Sequence, residues 1–169
     1  MPDVPRPIPE ESLLYFHLGR MVRCAADLEL RLQLVANQLS ESPYSHIWMN
    51  GLSASAATKT IKDLAKANAS IDETSRGKLE GLLKQCDSLF QRRHAYVHGA
   101  WSVDVSGPNP APQVMRFTRG QQTPRFDDVS TEDLVDLTQQ LITVTDEVMQ
   151  WFVQRLNAGP KTARSIIEP

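Results

Sequence analysis

The chain has 169 residues, 41% of them hydrophobic and 22% charged, and a formal net charge of -2. That is length enough for one domain with a real core, with the composition of a soluble globular protein. The near-neutral balance excludes a global positive field for nucleic acid, so any such binding rests on a local patch, and two cysteines are too few for a disulfide framework.

Residues 1–9 form a Pro-rich N-terminal arm without the apolar core of a signal peptide. No stretch approaches the roughly 20 apolar residues of a membrane span, so the expectation is a cytoplasmic protein with no membrane partner. A helical domain over 10–158 follows. Leu14, Leu18, Met21, Ala25, Leu28, Leu32, Val35 and Leu39 recur at three- and four-residue spacing, which predicts a long amphipathic helix near 10–40. Ser42-Pro43 ends it, and residues 44–54 read as irregular, with Gly51 as a break. A shorter helix is expected from about Ser55 to Asn68. Asp72 or Thr74 can cap a third helix, with an apolar stripe of Leu79, Leu82, Leu83, Cys86, Leu89, Phe90 and Val97 and a natural stop at Gly99. Cys24 and Cys86 sit among apolar residues and read as buried free thiols.

Beyond Gly99, Trp101, Val103 and Val105 share one face of an alternating segment, and Met115 and Phe117 share a face of another, with the turn-rich SGPNPAP between them. This predicts a short β-hairpin or ordered loop. Ser130 and Asp133 offer a capping pair. The last helix carries Leu134, Leu137, Leu141, Val144, Val148 and Trp151, widened by Ile142, Met149 and Leu156. The tail, 159–169, reads as loosely ordered. The expected fold is all-α, a four-helix, mostly antiparallel bundle with a small insertion between its third and fourth helices.

The chemistry concentrates in FQRRHAYVHGAW, residues 90–101. With about 100° per residue and Leu79 at zero, the third helix's apolar residues span roughly -80° to +40°. Arg93 falls inside that arc near -40°, whereas Arg92 falls near -140° and reads as a solvated surface arginine. A guanidinium on an apolar face needs a partner, either a structural salt bridge, a helix C-terminal capping contact or an anion such as phosphate. His94 and His98 lie four apart on one face, the spacing of a zinc pair. Two ligands are fewer than metal sites usually take, and no Glu stands between them as in HExxH, so no metal and no other cofactor is assigned.

The run Arg93-His94-Ala95-Tyr96-Val97-His98-Gly99 resembles the motif of the HEPN family (higher eukaryotes and prokaryotes nucleotide-binding domain), in which Arg is followed after four to six residues by His. His94 stands where that family usually has Asn or Asp. The long first helix, the GLSAS break, the aromatic segment after His-Gly and a final Leu-rich helix opened by STEDL extend the resemblance over most of 10–157. It implies a homodimer in which two motif helices meet across a two-fold axis and build a shared cleft. It also implies a metal-independent RNA endonuclease of toxin–antitoxin or antiviral defence systems, with an antitoxin or defence-system protein as partner, or an inactive binding module. In one toxin branch a Tyr two residues after the motif His is modified by a partner; here that position is Ala100.

On this reading His98 is the general acid/base and Arg93 the phosphate stabiliser, with His94 and Tyr96 in support. Arg93 and His98 point roughly 140° apart on one helix, which favours a site composed from two copies. Arg116, Arg119 and Arg125, in a stretch without an acid, are the expected RNA contacts. Residues 127–147 hold seven acids and no base, and are expected to face away from RNA or to receive a basic partner. Two classes stay open: Arg93 and His98 favour the nuclease, while near-neutral charge and His94 favour a non-catalytic module that binds a nucleotide or protein.

Overall fold

Apolar periodicity becomes helix along most of the chain. The computed structural model describes residues 10–104, 111–117 and 122–158. The arm 1–9, the tail 159–169, Val105, most of the SGPNPAP loop and Arg119 lie outside these described residues. The elements run α1 (Glu10–Leu39), α2 (His46–Met49), α3 (Ala54–Ala67), α4 (Glu73–His98), β1 (Ala100–Asp104), β2 (Ala111–Arg116), β3 (Arg125–Asp128) and α5 (Thr131–Ala158).

The helix ends follow local chemistry. After α1, Glu41 takes a left-handed φ of 52°, and Pro43 cannot continue a helix. Ser53 opens α3, its hydroxyl accepting from the Ala56 amide at 3.3 Å, and Asp72 opens α4 by accepting from the Ser75 amide at 2.9 Å. At α5 the Ser130 hydroxyl accepts from the Asp133 amide, and the Asp133 carboxylate accepts from the Ser130 amide. That is a reciprocal capping box with Asp in place of Glu. Gly51, with φ of +81°, makes the expected break.

Two local expectations are corrected. Residues 44–54 are not wholly irregular, since His46–Met49 forms a single turn of helix; a four-residue turn is too short to show a period. The insertion is a three-stranded antiparallel sheet, order β1-β2-β3, rather than a hairpin. β3, with sequence RFDD, has two aspartates and a single apolar residue, so it lacks the β-branched alternation that marks a strand. Tertiary pairing forms it: Met115 faces Phe126 and Arg116 faces Arg125, and the Val129 amide donates to the Pro112 carbonyl at 2.9 Å.

The chain divides into two compact units, and α1, α4 and α5 each contribute residues to both. The first holds the early part of α1, the end of α4, the sheet and the start of α5. Its core includes Met21, Ala25, Leu28, Leu89, Val114, Leu134, Leu137 and Leu141. The second holds the end of α1, α2, α3, the start of α4 and the later part of α5, around Leu32, Val35, Ile61, Leu79, Cys86 and Val148. Each fully buried aliphatic side chain contributes about 1.5–3 kcal/mol of transfer free energy. In the second unit the Trp151 indole donates to the Ser75 carbonyl at 3.0 Å, and the Thr58 hydroxyl donates to Asp87 at 2.8 Å. Leu156 is half exposed and does not widen the α5 stripe. Both cysteines are free and buried, and burial together with neighbouring Asp87 pushes the Cys86 thiol up to about 12. Among the described residues no helix is long and apolar enough to cross a membrane.

Candidate functional site

The end of α4 carries the site, and its neighbours on the sheet explain why it ends there. Gly99 donates to the Ala95 carbonyl at 3.1 Å. Its φ is not left-handed, so conformational freedom is not what demands glycine. Space is. A β-carbon at 99 would lie 2.0 Å from Val114 Cγ1 and 2.8 Å from the Ala95 oxygen. Val114 of β2, 1% exposed, therefore packs against the helix end only because residue 99 has no side chain. Trp101, opposite Val114 in the sheet, turns its indole back and donates to the Tyr96 carbonyl at 2.9 Å. This satisfies an acceptor that the helix end leaves open.

Arg93 occupies the position its helical phase assigns. Leu79, Leu83, Cys86 and Leu89 of the same stripe are buried, and Phe90, Arg93 and Val97 are half-buried. The Arg93 Nε is fully shielded and has no hydrogen-bond partner. Arg76 shows the ordinary solution for a half-buried arginine: it donates to the Ala65 and Ile71 carbonyls and to Glu73. Among the described residues Arg93 has no counterpart to any of these. Among the described residues no salt bridge to Arg93 accounts for its place on this face.

His94 and His98 are both exposed, with ring centroids 4.3 Å apart and planes tilted by 41°. No contact joins Arg93 to His98 among the described residues, as their helical phases require. No group of three or more metal-ligating side chains exists among them either.

Arg92 departs from the expectation of a solvated arginine. It donates to Gln140 Oε1 at 3.0 Å and to Asp136 Oδ2 at 3.3 Å, both on α5. Helical phase alone placed it opposite the apolar stripe, but α5 brings acceptors to that side. With Ala95, Tyr96, Val114, Arg116, Asp127 and Asp128 it lines a half-open pocket of about 220 Å³. Burial first, and then Asp133, raise the Tyr96 hydroxyl above its ordinary value. Tyr96 thus belongs with Arg92, one helical turn away, rather than with the histidines.

Two arginines of the expected RNA patch, Arg116 and Arg125, are engaged within the chain. Arg116 pairs with Asp127 at 2.6 Å and Arg125 pairs with the same carboxylate at 2.6 Å. The stretch 115–125 contains no acid, yet β3 folds back and sets the first member of the acidic run between two of its arginines. The acidic run therefore does not all face away from the patch. The signal was present in the chain: Arg125 and Asp127 are two apart on a strand and so share a face.

Comparison with known proteins finds no matching family model, no matching curated protein and no matching solved structure.

Proposed function

We propose that the chain is a HEPN-like, metal-independent endoribonuclease. On this reading it is a four-helix, mostly antiparallel bundle that works as a homodimer, in a toxin or antiviral defence role. The observation that carries the reading is the shielded, unpartnered Nε of Arg93, next in sequence to exposed His94 and five residues before exposed His98. A half-buried guanidinium whose Nε has no internal partner can offer its outer nitrogens to a phosphate. Its phase relative to His98 calls for a second copy to complete the cleft.

In the reaction the RNA 2′-oxygen attacks the adjacent phosphorus and the P–O5′ bond breaks. A histidine removes the 2′-OH proton and a histidine returns a proton to the leaving 5′-oxygen. His98 from the two copies fills these roles, and Arg93 stabilises the charge that grows on the phosphorane. The products are a 2′,3′-cyclic phosphate and a free 5′-hydroxyl.

The test is cleavage of labelled RNA by purified protein, with circular dichroism on every variant. Arg93→Ala and His98→Ala are expected to lose on the order of a hundredfold or more in rate. Arg93→Lys restores part, since Lys lacks the planar fork; Arg92→Ala stays near wild type, and EDTA has no effect. Light scattering at tens of micromolar should find a dimer. Bacterial expression of wild type beside His98→Ala, with growth and total RNA followed, tests the toxin role.

One observation favours the second reading, a non-catalytic module that dimerises and binds a nucleotide or protein. Arg116 and Arg125 are spent on Asp127, which leaves less positive charge for an RNA strand. Wild type inert on varied RNAs, with Arg93→Ala equally inert and folded, decides for that module.

A further inference from the structure

We propose that His94 and His98 chelate one divalent transition-metal ion of the borderline class (Zn²⁺, Ni²⁺ or Cu²⁺), and that this ion inhibits the site at which His98 acts. The first half rests on geometry. The second rests on the nuclease reading above.

Side chains four apart on a helix lie on one face, and helical rotamers lean the later one back over the earlier. His94 and His98 realise this, with rings 4.3 Å between centroids and 41° between planes. For a metal–nitrogen bond of about 2.0–2.1 Å, the two nitrogens of a tetrahedral chelate stand about 3.3 Å apart. The rings stand 4.3 Å apart between centroids, so chelation requires the two exposed side chains to rotate and open around the ion. Both side chains are exposed, which leaves the ion's remaining positions open to water. No third histidine, cysteine or carboxylate completes a ligand group among the described residues. The site is therefore a labile two-ligand chelate, in contrast to a closed structural zinc site. Such a site responds to the concentration of free metal.

The functional consequence follows from the lone pair. A histidine nitrogen that coordinates a metal can neither accept nor deliver a proton. Occupation therefore withdraws His98 from acid–base work while leaving Arg93, on another face of α4, in place. The reaction that needs no metal would be shut off by one.

The test is calorimetric titration of Zn²⁺ and Ni²⁺ into wild type, His94→Ala, His98→Ala and the control His46→Ala, whose exposed histidine is the first residue of α2. Wild type should bind one ion per chain. Each of the two α4 variants should weaken binding on the order of tenfold or more, because a chelate becomes a single ligand, and His46→Ala should match wild type. Ni²⁺ should bind at least as tightly as expected from its place in the divalent series. Absence of binding, survival of the site in either α4 variant, or one ion per two chains would overturn the chelate. For inhibition, Zn²⁺ is titrated into the RNA cleavage assay. The concentration that halves each protein's own metal-free rate should rise on the order of tenfold from wild type to His94→Ala. Cleavage that proceeds at full rate in metal-saturated protein overturns the inhibitory half. Metal binding that requires both histidines in a protein without nuclease activity leaves the chelate standing and removes the nuclease reading.

Discussion

Gly99 stands so close to Val114 that a β-carbon on it would lie 2.0 Å from Val114 Cγ1. The contact seats the sheet on the last turn of α4, beside the histidines. Gly99→Ala should therefore destabilise the protein by about 1–3 kcal/mol, as overpacking does, read as a lower urea midpoint. Val114→Ala removes the clashing methyl, so the double variant should lose less than the two single losses added together. A Gly99→Ala protein as stable as wild type would mean that the sheet does not sit against the helix end.

Arg93 separates stability from function. Its Nε is shielded and unpaired on a face the helix otherwise gives to apolar residues. Arg93→Met should stabilise by about 1 kcal/mol, since an unsatisfied buried polar atom is exchanged for packing, and should abolish cleavage. Arg92→Met should do the opposite, losing at most about 1 kcal/mol with its pair to Asp136 and keeping activity. Chemical denaturation of the two variants decides; a large loss from Arg93→Met would assign Arg93 a structural partner.

Asp127 restrains two of the arginines expected to meet RNA. Its side chain is 26% exposed and bonds both Arg116 and Arg125. Asp127→Asn should release positive charge on that face. Affinity for a labelled single-stranded RNA should rise, and its salt dependence should steepen by up to about 0.7 per added phosphate contact. An unchanged slope would remove Arg116 and Arg125 from the RNA surface.

The carboxyl of Asp136 is held below its ordinary value of 3.8, first by Gln140 and then by Arg92. A depressed carboxyl favours the folded state at neutral pH. That contribution is present above the unfolded value and fades as pH falls through the lower folded one. Carbon-detected NMR titration should find its midpoint under 3.8, and both Gln140→Ala and Arg92→Ala should move it upward. A midpoint unmoved by either variant would break the α4–α5 link that holds Arg92.

Much of this was written in local sequence. The stripes of α1, α4 and α5, the Ser130–Asp133 cap and the phase that sets Arg93 apart from Arg92 all depend on residues within a turn or two of one another. Helical periodicity and side-chain capping act at that range. The strand at Arg125–Asp128, the acceptors that α5 offers Arg92 and the carboxylate between Arg116 and Arg125 depend on residues brought from elsewhere in the chain. A strand of four polar-rich residues has no period of its own, and its hydrogen bonds come from β2. Gly99 shows the division within one residue. The sequence marks it as a helix stop, but the reason it must be glycine is a methyl group fifteen positions away, which only tertiary packing puts there.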